Sequence, residues 1–279
     1  MLALSLMILI IVASTLVLLA ATPEAQRSPS APAPSGPAVS TEALRHYAQG
    51  RLLEERGESE AAIDEYYRAL RADPGSATIA RRISEVAARA GDPTRSLEFA
   101  RRALAADPAE ARARWLEGAA LFKQGERVEA LASLEAAVSA DSNQAEYLMA
   151  LAHVAGAMER NDVQERAVRQ LVRLREDDAE AWFQLASLTA LRQDWTTAER
   201  ALARVSTLNP DRPGLDFLTG WIAEGVGHDS LAVEAFRRHL KANASDTGTR
   251  QRLVGLLARD QRFTEAYAEA HRLSQANPG

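Results

Sequence analysis

The chain has 279 residues, 47% hydrophobic and 25% charged, with a formal net charge of -5. That balance excludes a wholly disordered chain and argues against a nucleic-acid binder, which normally carries a basic excess to meet phosphates. With no cysteine, disulfide frameworks, thiolate zinc sites, haem attachment and cysteine nucleophiles are all excluded. Among 33 basic residues only Lys123 and Lys241 are lysine, an arginine bias that reads as coding composition and not as a site.

Residues 2–21 (LALSLMILIIVASTLVLLAA) carry no charge and as a helix would span about 30 Å, the thickness of a bilayer core. A cleaved signal peptide would have a basic start, a shorter apolar core and small residues at the cleavage site. Here the candidate cleavage residues Ala20 and Ala21 have Leu18 and Leu19 at the third position back in the cleavage pattern, and Pro23 follows. Residues 1–22 are therefore expected to be an uncleaved transmembrane anchor, with a cleaved signal segment as the alternative. The flanking charge bias that sets orientation is nearly missing, and Arg27 points weakly the wrong way.

Residues 23–40 hold five prolines (Pro23, Pro29, Pro32, Pro34, Pro37) among small polar residues and read as a linker. From Thr41 onward the chain repeats with a period of 34. Small residues recur at Gly50, Ser84, Gly118, Ala152, Ala186 and Gly220, ending at Val254. A second ladder runs Ala62, Ser96, Ala130, Gln164, Ala198, Ala232 and Ala266, and a third places proline at 74, 108, 210 and 278. Small residues let antiparallel helices approach, and proline stops the second helix because it lacks an N–H. Each unit is predicted to be a helix-turn-helix, with breakers at Gly57, Gly91, Gly125, Asn161-Asp162, Gln193, Gly227 and Gln261. In the fourth unit Asn161-Asp162 lies two residues later than the register requires, so that hairpin is expected to be distorted.

The pattern resembles the tetratricopeptide repeat (TPR) family, most closely over residues 179–210, where Trp182, Leu185, Ala186, Ala198, Leu202, Val205 and Pro210 match its consensus. The resemblance implies an all-α, right-handed superhelical solenoid of about seven repeats (43–76, 77–110, 111–144, 145–178, 179–212, 213–246 and 247–279) within residues 41–279. It also implies a concave groove lined by positions 2, 5, 9, 12 and 13 of each first helix, where fifth positions carry Tyr47, Arg81, Trp115, Met149, Phe183 and Phe217. With Arg51, Arg89 and Trp221 these predict a partner-binding groove that is basic at repeats 1 and 2 and apolar from repeat 3 to repeat 6. Helix packing is the competing explanation for the aromatics. Tyr47, Arg51, Arg82, Arg112 and Leu116 occupy positions where family members that clamp acidic chaperone tails carry lysine and asparagine, so that role is not expected.

The five histidines show no zinc-binding spacing, and His239 reads as a partly buried packing residue. His228-Asp229-Ser230 has the residue types of a hydrolase triad, but consecutive residues cannot form the relay. It reads as a turn, with Asp229 or Ser230 capping the next helix. No catalysis, metal, cofactor, nucleic acid or small-molecule substrate is expected. The layout is similar to that of bacterial membrane-anchored envelope TPR proteins, implying a periplasmic or external scaffold that binds a protein or peptide segment. Two alternatives stand: the regulatory region of an enzyme continuing beyond residue 279, and a structural protein self-associating through an uncapped seventh repeat.

Overall fold

The computed structural model describes residues 40–276, which form fourteen helices paired into seven hairpins. The first helices are α1 (Thr41–Glu55), α3 (Ala77–Arg89), α5 (Ala111–Gln124), α7 (Ala145–Ala157), α9 (Ala179–Leu191), α11 (Leu215–Val226) and α13 (Thr247–Arg259). Their partners are α2 (Ser59–Ala72), α4 (Pro93–Ala106), α6 (Arg127–Ala140), α8 (Asn161–Leu174), α10 (Trp195–Leu208), α12 (Asp229–Ala242) and α14 (Phe263–Ala276). The membrane segment and most of the linker predicted before residue 40 lie outside the described residues. Among the described helices none is long and apolar enough to cross a membrane.

Local chemistry sets the helix ends. Ser76, Asp92, Asp178, Asp194 and Asp246 each accept a hydrogen bond from the backbone N–H three residues on, satisfying a donor that the first turn leaves open. The second helices α2, α4 and α10 end at Asp73, Asp107 and Asn209 in extended backbone, each followed by proline. A proline there disfavours helix in the residue before it, so the third ladder marks helix stops.

Between the helices of each hairpin one residue takes a left-handed conformation, and these residues also recur every 34 positions. They are Gly57, Gly91, Gly125 and Gly227, together with Glu159 (φ 56°), Gln193 (φ 62°) and Gln261 (φ 58°). The fourth hairpin is therefore in register: it turns at Glu159, and Asn161-Asp162 begins α8. The expected distortion does not occur, because the packed helices impose the turn on a residue that does not favour it. A side chain in this region costs roughly 1–2 kcal/mol, partly offset by glycine's greater loss of freedom on folding, about 0.5–1 kcal/mol. Each of Glu159→Gly, Gln193→Gly and Gln261→Gly should raise stability by about 0.5–1 kcal/mol. Denaturant midpoints check this, and three losses would contradict the left-handed turns.

The small residues of the first ladder receive large side chains from the second helix. Gly50 abuts the Tyr66 ring, Gly220 abuts Phe236, and a Cβ on Gly118 would lie 2.7 Å from Leu134 Cγ. The apolar core follows the solenoid in three stretches: α1 to the start of α5, α4 to α11, and α11 to α14. At the two ends the same register positions lose their cover. Leu52 is 51% exposed, whereas Val86, Val154, Ile222 and Leu256 in the equivalent place are buried. Tyr267 is 75% exposed where Ile63, Leu97, Leu131 and Val233 are buried.

Candidate functional site

First helices touch one another across neighbouring hairpins, in the pairs α3–α5, α5–α7 and α9–α11, whereas the second helices are splayed further apart. The first helices therefore form the inner, concave layer, and their exposed positions line a groove. In its middle, Met149 and His153 of α7 and Glu180 and Gln184 of α9 share a cavity of about 690 Å³ with Gln164 of α8.

The aromatic residues expected in the groove are half-buried and packed, so packing and exposure coexist at these positions. Tyr47 leans on Tyr66, with ring centroids 5.5 Å apart. Trp115 stacks on Tyr147 at 6.0 Å and lies under the Arg112 guanidinium, 4.2 Å from the ring centre. The Trp115 indole N–H is buried without a hydrogen-bond partner among the described residues. Phe183 is covered by the guanidinium of Arg212, itself held to Glu180 at 2.8 Å. Phe217 packs between Trp221, Phe236 and His239 at centroid distances of 6.2, 6.2 and 5.5 Å. Met149 is the most open of the set, 47% exposed.

The basic end predicted at repeats 1 and 2 is neutralised from within. Arg82 donates to both oxygens of Glu54 at 2.9 and 2.7 Å and to Glu85 at 2.7 Å. Arg81 is held by Glu85 at 2.6 Å and Glu110 at 3.1 Å. Arg112 joins Glu85 to Glu146, and Arg89 is paired with Glu54. Of the three predicted arginines only the exposed Arg51 stands outside this network. The correction has a simple cause: composition showed the arginines but not their carboxylate partners, which are Glu85 and Glu110 of the same repeat for Arg81 and Glu54 of the preceding repeat for Arg82 and Arg89.

These carboxylates make the fold acid-sensitive. Burial works against the Glu85 anion, yet Arg81, Arg82 and Arg112 outweigh it and hold the group below its ordinary 4.5. At Asp246 burial is likewise overcome, by hydrogen bonds from Thr249 and His239, leaving the carboxyl at about 2. Hydrogen bonds from Arg262 and Arg237 place Glu265 at about 2. Glu110 moves the other way, raised by burial. A depressed carboxyl stabilises the fold fully above its unfolded value and loses that contribution as pH falls through the folded one. The melting temperature should thus hold near neutral pH and drop between pH 4.5 and about 2, less steeply in Glu85→Gln. An unchanged melting temperature over that interval would contradict the network.

The turn at His228-Asp229-Ser230 differs from expectation in one detail. His228 occupies the cap position without a side-chain cap, and Asp229 lies in the first turn of α12, paired with Arg259 at 3.5 Å. His239, on the inner side of α12, is half-buried and bonded to Asp246 at 2.9 Å. Among the described residues no group of three or more histidine, aspartate or glutamate side chains is arranged to hold a metal ion.

Two family models, both described as tetratricopeptide repeat, match the chain, one over residues 87–154 and the other over 43–77 and 149–213. The chain belongs to the tetratricopeptide repeat family. Among solved structures it is similar to YrrB, described as a TPR protein with an unusual peptide-binding site (20% identity, TM-score 0.59, covering 63% of this chain and 91% of that one). It is similar to MamA of Desulfovibrio magneticus RS-1 (21% identity, TM-score 0.55, coverage 63% and 99%). It also resembles PilF of Pseudomonas aeruginosa (19% identity, TM-score 0.54, coverage 72% and 91%). At these identities the likeness is one of fold. No curated protein matches the chain.

Proposed function

We propose that the protein is a non-catalytic scaffold that holds a segment of a partner protein in the groove of its first helices, tethered to the cell envelope through residues 2–21. The observation that carries this reading is the row of half-buried aromatics on the first helices, Trp115, Phe183 and Phe217 at the fifth position of their repeats and Trp221 one turn further along α11. Family membership supports it, as does the peptide-binding site ascribed to YrrB. With Arg81 and Arg89 already paired, apolar contact supplies most of the affinity and charge adjusts the association rate.

Crosslinking in cells identifies the partner, and surface-bound kinetics with the purified pair test the groove. Truncating a buried aromatic anchor commonly costs about 2 kcal/mol or more, so Phe183→Ala and Trp221→Ala should speed dissociation. If both leave it unchanged while substitutions on the second helices abolish binding, the groove is not the site. The envelope tether is tested separately: the full chain should sediment with membranes, and a chain lacking residues 1–22 should not. A second reading, self-association through the seventh repeat, is favoured by Phe263 and Tyr267, 66% and 75% exposed on α14. Light scattering of the wild type and of Phe263→Ser/Tyr267→Ser decides it: equal monomer mass in both removes that reading.

A further inference from the structure

The ladder of small residues on the second helices has one exception of size. Five of its seven members are alanine and one is serine, but α8 carries Gln164. Packing gives no reason for it. The equivalent Ala62, Ala130, Ala198 and Ala232 are fully buried, and an amide side chain costs both rotamer entropy and desolvation when it takes such a place. Room is made by Gly156 on α7: a Cβ there would lie 2.8 Å from Gln164 Nε2. The amide is turned into the groove, where it lines the cavity of about 690 Å³ and makes no side-chain hydrogen bond to the described residues. A local rule broken together with a compensating glycine marks a position chosen for something other than stability.

The chemistry of the lining points to one kind of occupant. Its polar members are Gln164, Gln184, His153, Asp178 and Glu180, and it contains neither arginine nor lysine. Arginine is abundant in this chain, and four other surface cavities are each lined by at least two basic residues. Both amides and a neutral imidazole can accept hydrogen bonds, and the carboxylates can only accept. Glu180 is compensated from outside the cavity by Arg212, while Asp178 spends one oxygen on the N–H of Ala181, capping α9. The walls are otherwise apolar, with Met149 and Leu171 among them. A site with surplus acceptors and an apolar wall suits a group with an aliphatic stem and a head that only donates.

We propose that this cavity is the subsite for a lysine or arginine side chain of the segment lying in the groove, with Gln164 as the residue that selects it. The proposal rests on the groove reading above and adds the sign of charge: basic opposite repeats 4 and 5. The probe is a random dodecapeptide library displayed on phage and selected on the full chain in mild detergent. Selected peptides should share one lysine or arginine flanked by apolar residues. Replacing that residue with norleucine or citrulline should weaken binding about tenfold, and so should Gln164→Ala or Asp178→Asn in the protein. Combining the peptide change with Gln164→Ala should cost little beyond either alone. Gln164→Ala restores the residue of the other repeats, so its melting temperature should equal or exceed that of the wild type, which separates binding from folding. If selected peptides lose affinity with Phe183→Ala but are indifferent to Gln164→Ala and to loss of their cation, the subsite is wrong and the groove stands. If no peptide is selected, or none responds to Phe183→Ala and Trp221→Ala, the groove reading fails and the subsite with it.

Discussion

Phe236→Ala is expected to lower the stability of the fold by about 3–5 kcal/mol, the range for emptying a buried aromatic site. Phe236 is fully buried on α12, its ring resting on Gly220 and beside Phe217. The backbone of α11 cannot move in to fill the space without carrying Phe217 and Trp221, so most of the cavity should remain. The last stretch of core is small and centred on this ring. The loss should appear first as faster amide exchange in α11 to α14, ahead of any change in α3 to α8. Phe263→Ala, by contrast, removes a ring that is 66% exposed and should shift stability by less than about 0.5 kcal/mol. Equal effects of the two substitutions in urea denaturation would show that Phe236 does not fill the site as described.

Arg82→Ala should cost about 3 kcal/mol, at the low end for removing one partner of a buried ion pair. The Glu54 and Glu85 side chains are only 13% and 7% exposed, and Arg82 is the one cation that bridges them. After its removal Glu54 keeps Arg89 and the Tyr66 hydroxyl, and Glu85 keeps Arg81 and Arg112, which limits the damage. Glu85, which Arg82 helps to hold below its ordinary value, should then titrate higher, moving acid unfolding upward in pH. A further Glu54→Gln change should recover part of the loss, because it removes the anion left without its main partner. If Arg82→Ala and the double variant are equally stable, burial of Glu54 is not the source of the cost.

How far the sequence carried can be read position by position. Period, helix stops and six of the seven left-handed turns were legible: four turns fall on glycine, and proline marks the stops, because the backbone limits of both are intrinsic, while Gln193 and Gln261 follow from the 34-residue register. Glu159 was not, since glutamate has no turn preference and its conformation is imposed by the helices on either side. The cap at His228 was missed for a related reason: Asp229 and Ser230 are better caps in isolation, but the register of α12 starts one residue earlier than they allow. The aromatic row was visible from spacing, whereas Arg112 over Trp115 and Arg212 over Phe183 were not. The charge of the first repeats was misread for the most general cause. Glu54 and Arg82 are 28 residues apart and nothing local to either announces the other, so spacing could reveal only the pairs that Glu85 makes with Arg81 and Arg82 one turn away on α3. Gln164 stood in plain view as a break in a ladder, but only the cavity gave that break a meaning.

Each described helix packs on its sequence neighbours or on the equivalent helix one hairpin away. A molecule wired in this way has no keystone among its described residues, because each joint links one hairpin to the next and does not close a loop with a distant hairpin. Its length is consequently an adjustable quantity. Excising one period of 34 residues would shorten the groove while leaving the remaining joints in step, and duplicating one would lengthen it. Folding should be quick for a chain of this size, since the contacts that matter lie close along the sequence. Reach along a partner is thus a property that evolution, or an engineer, can change in whole units without redrawing the rest.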